Sequence, residues 1–72
     1  MDIKSVIGDN VRGYRRKLGW TQEKLGVRAD LSSEYSSRLE KGKKNAGAET
    51  LYQIAKTLKI EVGALFIPES YK

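Results

Sequence analysis

The chain has 72 residues, with 14 Lys and Arg against 9 Asp and Glu, a formal charge of +5, and no Cys or His. That length suits one domain with one core. The missing thiols and imidazoles exclude zinc fingers, disulfide staples, cysteine nucleophiles and histidine acid–base catalysis, so neither a metal nor an enzymatic role is expected.

The elements follow in chain order. Ile3, Val6, Ile7, Val11, Tyr14 and Leu18 recur at helical spacing, which predicts a first helix opened by Asp2 or Ser5 and ended by Gly19. Arg12 and Arg16 fall on its far side, whereas Arg15 lies at the edge of the apolar stripe and needs a partner. Thr21 caps a short second helix running to about Ala29, with Leu25 as its large inward residue. Asp30 and Leu31 make a tight connection, and Ser32 caps a third helix that ends at Gly42. Lys43 to Gly47 reads as a basic loop, and Leu51, Ile54, Ala55 and Leu58 mark a fourth helix. A brief fifth helix is expected over Glu61 to Phe66, stopped by Pro68, and the tail Glu69 to Lys72 carries too little apolar content to be expected as ordered. There is no strand signal, so the expected fold is an all-α five-helix bundle, one domain spanning 1–72.

The charge is unevenly placed. Ten bases and only four acids lie between Arg12 and Lys44, and such a field attracts a polyanion, nucleic acid being the commonest inside cells. A solvated basic face is the plainer alternative. A membrane partner is not expected, because no continuous apolar face stands opposite the bases and the longest apolar run is Ala64 to Ile67. The first residues lack an apolar leader segment, which suggests a cytoplasmic protein.

Residues 21–41 form the informative unit: a short helix, a tight turn and a second helix whose outward positions are small or polar. Two helices so joined cross steeply, and the second can enter a DNA major groove. Leu39 points inward, which leaves Ser33, Glu34, Ser37 and Arg38 on the outward arc with Tyr35 at its margin. Arg38 can donate twice to guanine, Glu34 can accept from cytosine N4, and serines serve donors or acceptors. An ordinary polar helix surface would carry the same residue types.

The order Ile7-Gly8-Asp9-Asn10-Val11-Arg12 with Arg15-Arg16, Gly19-Trp20-Thr21-Gln22-Glu23-Lys24-Leu25, Tyr35, Leu39-Glu40-Lys41-Gly42-Lys43-Lys44-Asn45 and Glu49-Thr50-Leu51 resembles the phage-repressor and Cro-type (XRE-like) helix-turn-helix family, including restriction-modification controller proteins. The resemblance spans about residues 5 to 67 and implies a lambda-repressor-like five-helix domain. It further implies a phosphate contact for Gln22, backbone contacts for Lys41, Lys43 and Lys44 with Tyr35 beside them, and a structural salt bridge between Arg15 and Glu40. Leu65, Phe66 and Ile67 are implied as a two-fold interface within a dimerisation segment of about 61–67; an intramolecular lid is the alternative. Four residues depart from the family pattern: Ser36 in place of an aliphatic anchor, Asp30 in place of a turn glycine, Gly26 in place of alanine, and Gly47 in place of a capping serine. Gly26 is expected to cost about 0.5 to 1 kcal/mol in helix propensity.

The function these features imply is a transcriptional regulator binding double-stranded DNA in a sequence-specific way, as a homodimer on a near-palindromic operator, without cofactor or small-molecule ligand. It could serve as a restriction controller or as a phage or mobile-element repressor. The competing expectation is a protein-interaction module such as an antitoxin or coactivator-like domain, which would bind DNA weakly and indifferently to Arg38→Ala. An enzyme would need convergent catalytic groups, and the carboxylates fall on different faces.

Overall fold

The computed structural model describes residues 2–72. It shows α1 (Ile3–Lys17), α2 (Gln22–Ala29), α3 (Ser33–Glu40), α4 (Ala48–Leu58) and a 3₁₀ turn (Val62–Phe66), with no strand among the described residues. Three helices begin where a side-chain oxygen takes up an orphan N–H. Asp2 accepts from Ser5 at 2.9 Å, Thr21 from Lys24 at 3.1 Å and Ser32 from Tyr35 at 3.1 Å. Gly47 offers α4 no such cap, so that helix rests on its apolar stripe Leu51, Ile54, Ala55 and Leu58, all buried. No helix among the described residues is long and apolar enough to cross a membrane.

The fifth helix expected over Glu61 to Phe66 is instead the five-residue 3₁₀ turn, with Ala64 donating to the Glu61 carbonyl at 3.0 Å. Five residues including Gly63 and closed by Pro68 are too few to repay α-helix nucleation, and the tighter turn forms in its place.

Ile7, Val11, Leu25, Ala29, Leu39, Leu51, Ile54, Ala55, Leu58 and Leu65 make one buried cluster, flanked by half-buried Tyr14, Trp20, Leu31 and Tyr35. α1 packs against α3, α4 and the 3₁₀ turn, and α2 packs against α3 and α4. Ile3 and Leu18, at the two ends of the expected stripe of α1, are exposed. A repeating pattern names the face of a helix, but its neighbours decide how much of that face is covered.

The tail is ordered, contrary to the expectation from composition. Tyr14 Oη donates to Ser70 Oγ at 3.1 Å, Tyr71 Oη to Asp9 at 3.2 Å and Lys17 Nζ to the Tyr71 carbonyl at 2.8 Å. Lys72 pairs with Glu69. Polar bonds and one aromatic ring hold this segment, which is why a count of apolar residues missed it. Leu65 is likewise corrected as an interface candidate: at 0 % exposure it belongs to the core, whereas Phe66 and Ile67 remain 43 % and 59 % exposed.

Candidate nucleic-acid interface

The connection from α2 to α3 depends on Asp30, which takes the left-handed conformation at φ 60°, ψ 47°. Asp tolerates that region better than most residues. The turn closes on one acceptor, because the backbone N–H groups of Asp30 and Leu31 both donate to the Gly26 carbonyl, the latter at 2.7 Å. A Cβ at Gly26 would stand 2.7 Å from the Leu31 carbonyl oxygen. The expected propensity penalty at Gly26 is therefore only part of its role: no alanine fits there without moving the turn.

α3 presents its two sides as the spacing implies. Ser36, Leu39 and Glu40 are buried; Ser33, Glu34 and Arg38 are exposed, with Ser37 and Tyr35 half-buried. At about 100° per residue, Ser33, Ser37, Glu34 and Arg38 fall within one arc of about 140°. Ser36 fills the aliphatic anchor position with a hydroxyl that is 1 % exposed and has no hydrogen-bond partner.

The orientation of α3 is fixed from α1. Arg15 Nε reaches Glu40 Oε2 at 2.8 Å and Nη2 reaches Oε1 at 2.9 Å, while Nη1 donates to the Trp20 carbonyl at 2.7 Å. Both charged groups are almost wholly buried, so the bidentate fork and the carbonyl together replace their lost water. Gln22 joins this cluster: its Nε2 donates to Glu40 Oε1 at 3.0 Å, which holds the amide at the first turn of α2 with one N–H to spare.

The ion pairs among the described residues engage Arg12 with Asp9, Arg15 with Glu40 and Lys72 with Glu69. Arg38, Lys41, Lys43 and Lys44 are left without an acidic partner, and the Lys44 ammonium lies 5.4 Å from the centre of the Tyr35 ring. The exposed arc of α3, the half-tethered Gln22 and this lysine loop are contributed by one stretch of chain, residues 22–44. Phe66 and Ile67 belong to the C-terminal segment.

Three features escaped the sequence reading. Asn10 is fully buried, and its Nδ2 lies 3.3, 2.9 and 2.8 Å from the carbonyls of Ala64, Leu65 and Ile67. A polar residue lodged in the apolar stripe of α1 was the signal that could have found it. Lys24 and Arg28 stack over Trp20 at 5.4 and 5.3 Å from its ring centre, a contact that follows from their helical spacing once the ring is placed. Tyr71 packs on Gly13, and nothing in the local sequence of either residue announces it.

The family model described as Helix-turn-helix matches residues 11–65. The chain is 37% identical over 68 residues to the HTH-type transcriptional regulator y4dJ of Sinorhizobium fredii, covering 94% of this chain and 88% of that one. It is 33% identical over 72 residues to the control protein C.SmaI of Serratia marcescens, covering all of this chain and 86% of the relative. Among solved structures, a hypothetical transcription factor from Neisseria superposes with a TM-score of 0.90 at 28% identity, over 94% of this chain and 78% of the other.

Proposed function

The chain belongs to the helix-turn-helix family, and from that premise we propose that it is a transcriptional regulator that binds double-stranded DNA through residues 22–44 and reads sequence with α3. The observation that carries this reading is the exposed arc of Ser33, Glu34, Ser37 and Arg38 on a helix whose opposite side is anchored by Leu39 and Glu40. Arg38 offers a two-pronged donor to guanine, Glu34 an acceptor for cytosine N4, and the serines shorter-range bonds. Lys41, Lys43 and Lys44 meet phosphates as point charges, Tyr35 lies beside them, and Gln22 adds a phosphate contact at the N-terminus of α2.

In this reading the protein acts as a homodimer joined through Phe66 and Ile67, the exposed apolar pair of the C-terminal segment. A two-fold dimer sets its reading helices about 34 Å apart, one turn of DNA, and so recognises an approximately palindromic operator. Similarity to the control protein C.SmaI favours a restriction controller within this class over a phage or mobile-element repressor.

Selection of binding sites from random duplex DNA tests the reading directly, through the symmetry and spacing of the recovered sites. Arg38→Ala is expected to weaken the preferred site by about 1 to 3 kcal/mol and to relax one base position per half-site. Lys43→Ala is expected to weaken all sequences alike and to flatten the salt dependence. An Arg38→Ala loss that is the same for every sequence would remove α3 from the reading role.

A further inference from the structure

We propose that α1 sets the spacing at which the dimer reads DNA, with Asn10, Gly13 and Tyr71 acting as positioning residues for the Phe66–Ile67 contact; this rests on the dimer reading above. The inference begins with what holds that exposed pair in place. The Ile67 carbonyl accepts from Asn10 Nδ2 at 2.8 Å and from the Ser70 backbone N–H at 3.1 Å. The carbonyls of Ala64 and Leu65, just before the pair, accept from the same Asn10 amide. Ser70 is held in turn by Tyr14, and the Ser70 hydroxyl donates back to the Ala64 carbonyl.

Beyond Ser70 the chain is pinned by Tyr71. A Cβ on Gly13 would lie 2.3 to 2.6 Å from atoms of the Tyr71 ring, so the ring occupies the space that any larger residue at position 13 would fill. The ring also stands edge-on to Tyr14 at 6.3 Å, and its hydroxyl reaches Asp9. Gly13 lies mid-helix, where alanine would favour the helix by about 1 kcal/mol. Admission of the Tyr71 ring is the structural use of that weak helix former.

Among the described residues, every side chain outside 64–72 that hydrogen-bonds this segment comes from α1: Asp9, Asn10, Tyr14 and Lys17. The opposite flank of the same helix carries Arg15, locked to Glu40 of α3, and Gly8, which lies against the Leu39 and Glu40 carbonyls. One 15-residue helix thus connects the reading helix to the self-contact, and the angle between them is inherited from it. In a two-fold assembly a small rotation of the contact relative to α3 changes the separation of the two reading helices, which is the quantity that half-site spacing reports.

The test uses the full chain and operators recovered by selection, with companion duplexes in which the half-sites are moved apart or together by one and two base pairs, and a duplex with a single half-site. Gly13→Ala, which displaces the ring without emptying the core, and Tyr71→Ala are compared with the wild type for dimer dissociation by sedimentation equilibrium and for spacing preference. Both variants are expected to keep single half-site affinity and to lose about tenfold in preference for the selected spacing, a difference of about 1.4 kcal/mol. Because both act through the ring, Gly13→Ala in the Tyr71→Ala background is expected to add nothing further. Variants that dimerise and discriminate spacing as the wild type does would overturn the positioning role while leaving the dimer reading intact. Equal losses on the single half-site would overturn it as well, by showing general damage to the fold. A wild type that stays monomeric and selects unpaired half-sites would remove the dimer reading and this inference with it.

Discussion

The attachment of α1 to α3 and its attachment to the C-terminal segment are built from different chemistry. Arg15 and Glu40 meet as a buried, bidentate ion pair with a backbone carbonyl and Gln22 completing the cluster. On the other flank the partners are the buried amide of Asn10, two tyrosines, the bare backbone of Gly13 and, toward the surface, Asp9 and Lys17, each bonded to a neutral group of the tail. A buried charge pair fixes orientation because either partner alone is strongly disfavoured. A clasp in which each charged group meets a neutral one, near water, strands no buried charge when it opens. α3 is thereby held to α1 by a pair neither of whose members can be removed without a large penalty, while the segment bearing Phe66 and Ile67 is expected to loosen at a lower cost.

The sharpest way to break that contrast is Glu40→Ala, which strands Arg15 in the interior and releases Gln22; unfolding by urea is expected to show a loss of about 3–5 kcal/mol. Asn10→Ala attacks the other flank, leaving the carbonyls of Leu65 and Ile67 short of a donor, and about 2 kcal/mol is expected to be lost in the same assay. If Asn10→Ala proved the more damaging of the two, the contrast between the flanks would be reversed.

Gly26→Ala sharpens the α3 side of the contrast. Helix propensity alone favours alanine by about 1 kcal/mol, yet the crowding against the Leu31 carbonyl is expected to make the variant less stable by about 1–2 kcal/mol. Ser36→Ala is expected to act in the opposite sense and raise stability by about 1 kcal/mol, because it deletes a buried hydroxyl that has no partner. Thermal melting at several protein concentrations measures both while separating folding from association.

The smallest effect concerns pH. Packing against α1 and the hydrogen bond to Asp9 hold the Tyr71 phenol above its ordinary value of 10.0. The folded chain therefore keeps that proton longer than the unfolded chain does. The contribution of the clasp is fully present below the unfolded pKa and is lost as the pH rises through the folded one. Ultraviolet titration of the tyrosines is expected to show one phenol ionising late, and Gly13→Ala to abolish the delay.

Much of residues 21–41 was legible from residue types alone. Thr21 and Ser32 marked two helix starts, and the alternation of Leu39 with Ser33, Glu34, Ser37 and Arg38 separated the inner from the outer side of α3. These are effects of neighbours within one or two turns, which the chain order displays. Phe66 and Ile67 were legible as an apolar cluster, but their difference from buried Leu65 was not, because the packing of the 3₁₀ turn on α1 and α4 decides which of three adjacent apolar residues turns inward.

The sequence by itself determined the first four helices, the caps Thr21 and Ser32, the excess of bases and the polar outer arc of α3, since each depends on residue types or on contacts a few residues long. Only the tertiary structure decided that Asn10 holds three carbonyls more than fifty residues away, that the tail folds back onto Gly13, and that Gln22 shares Glu40 with Arg15. Those contacts join residues far apart in the chain, and they exist only after burial of the common core has brought the helices together.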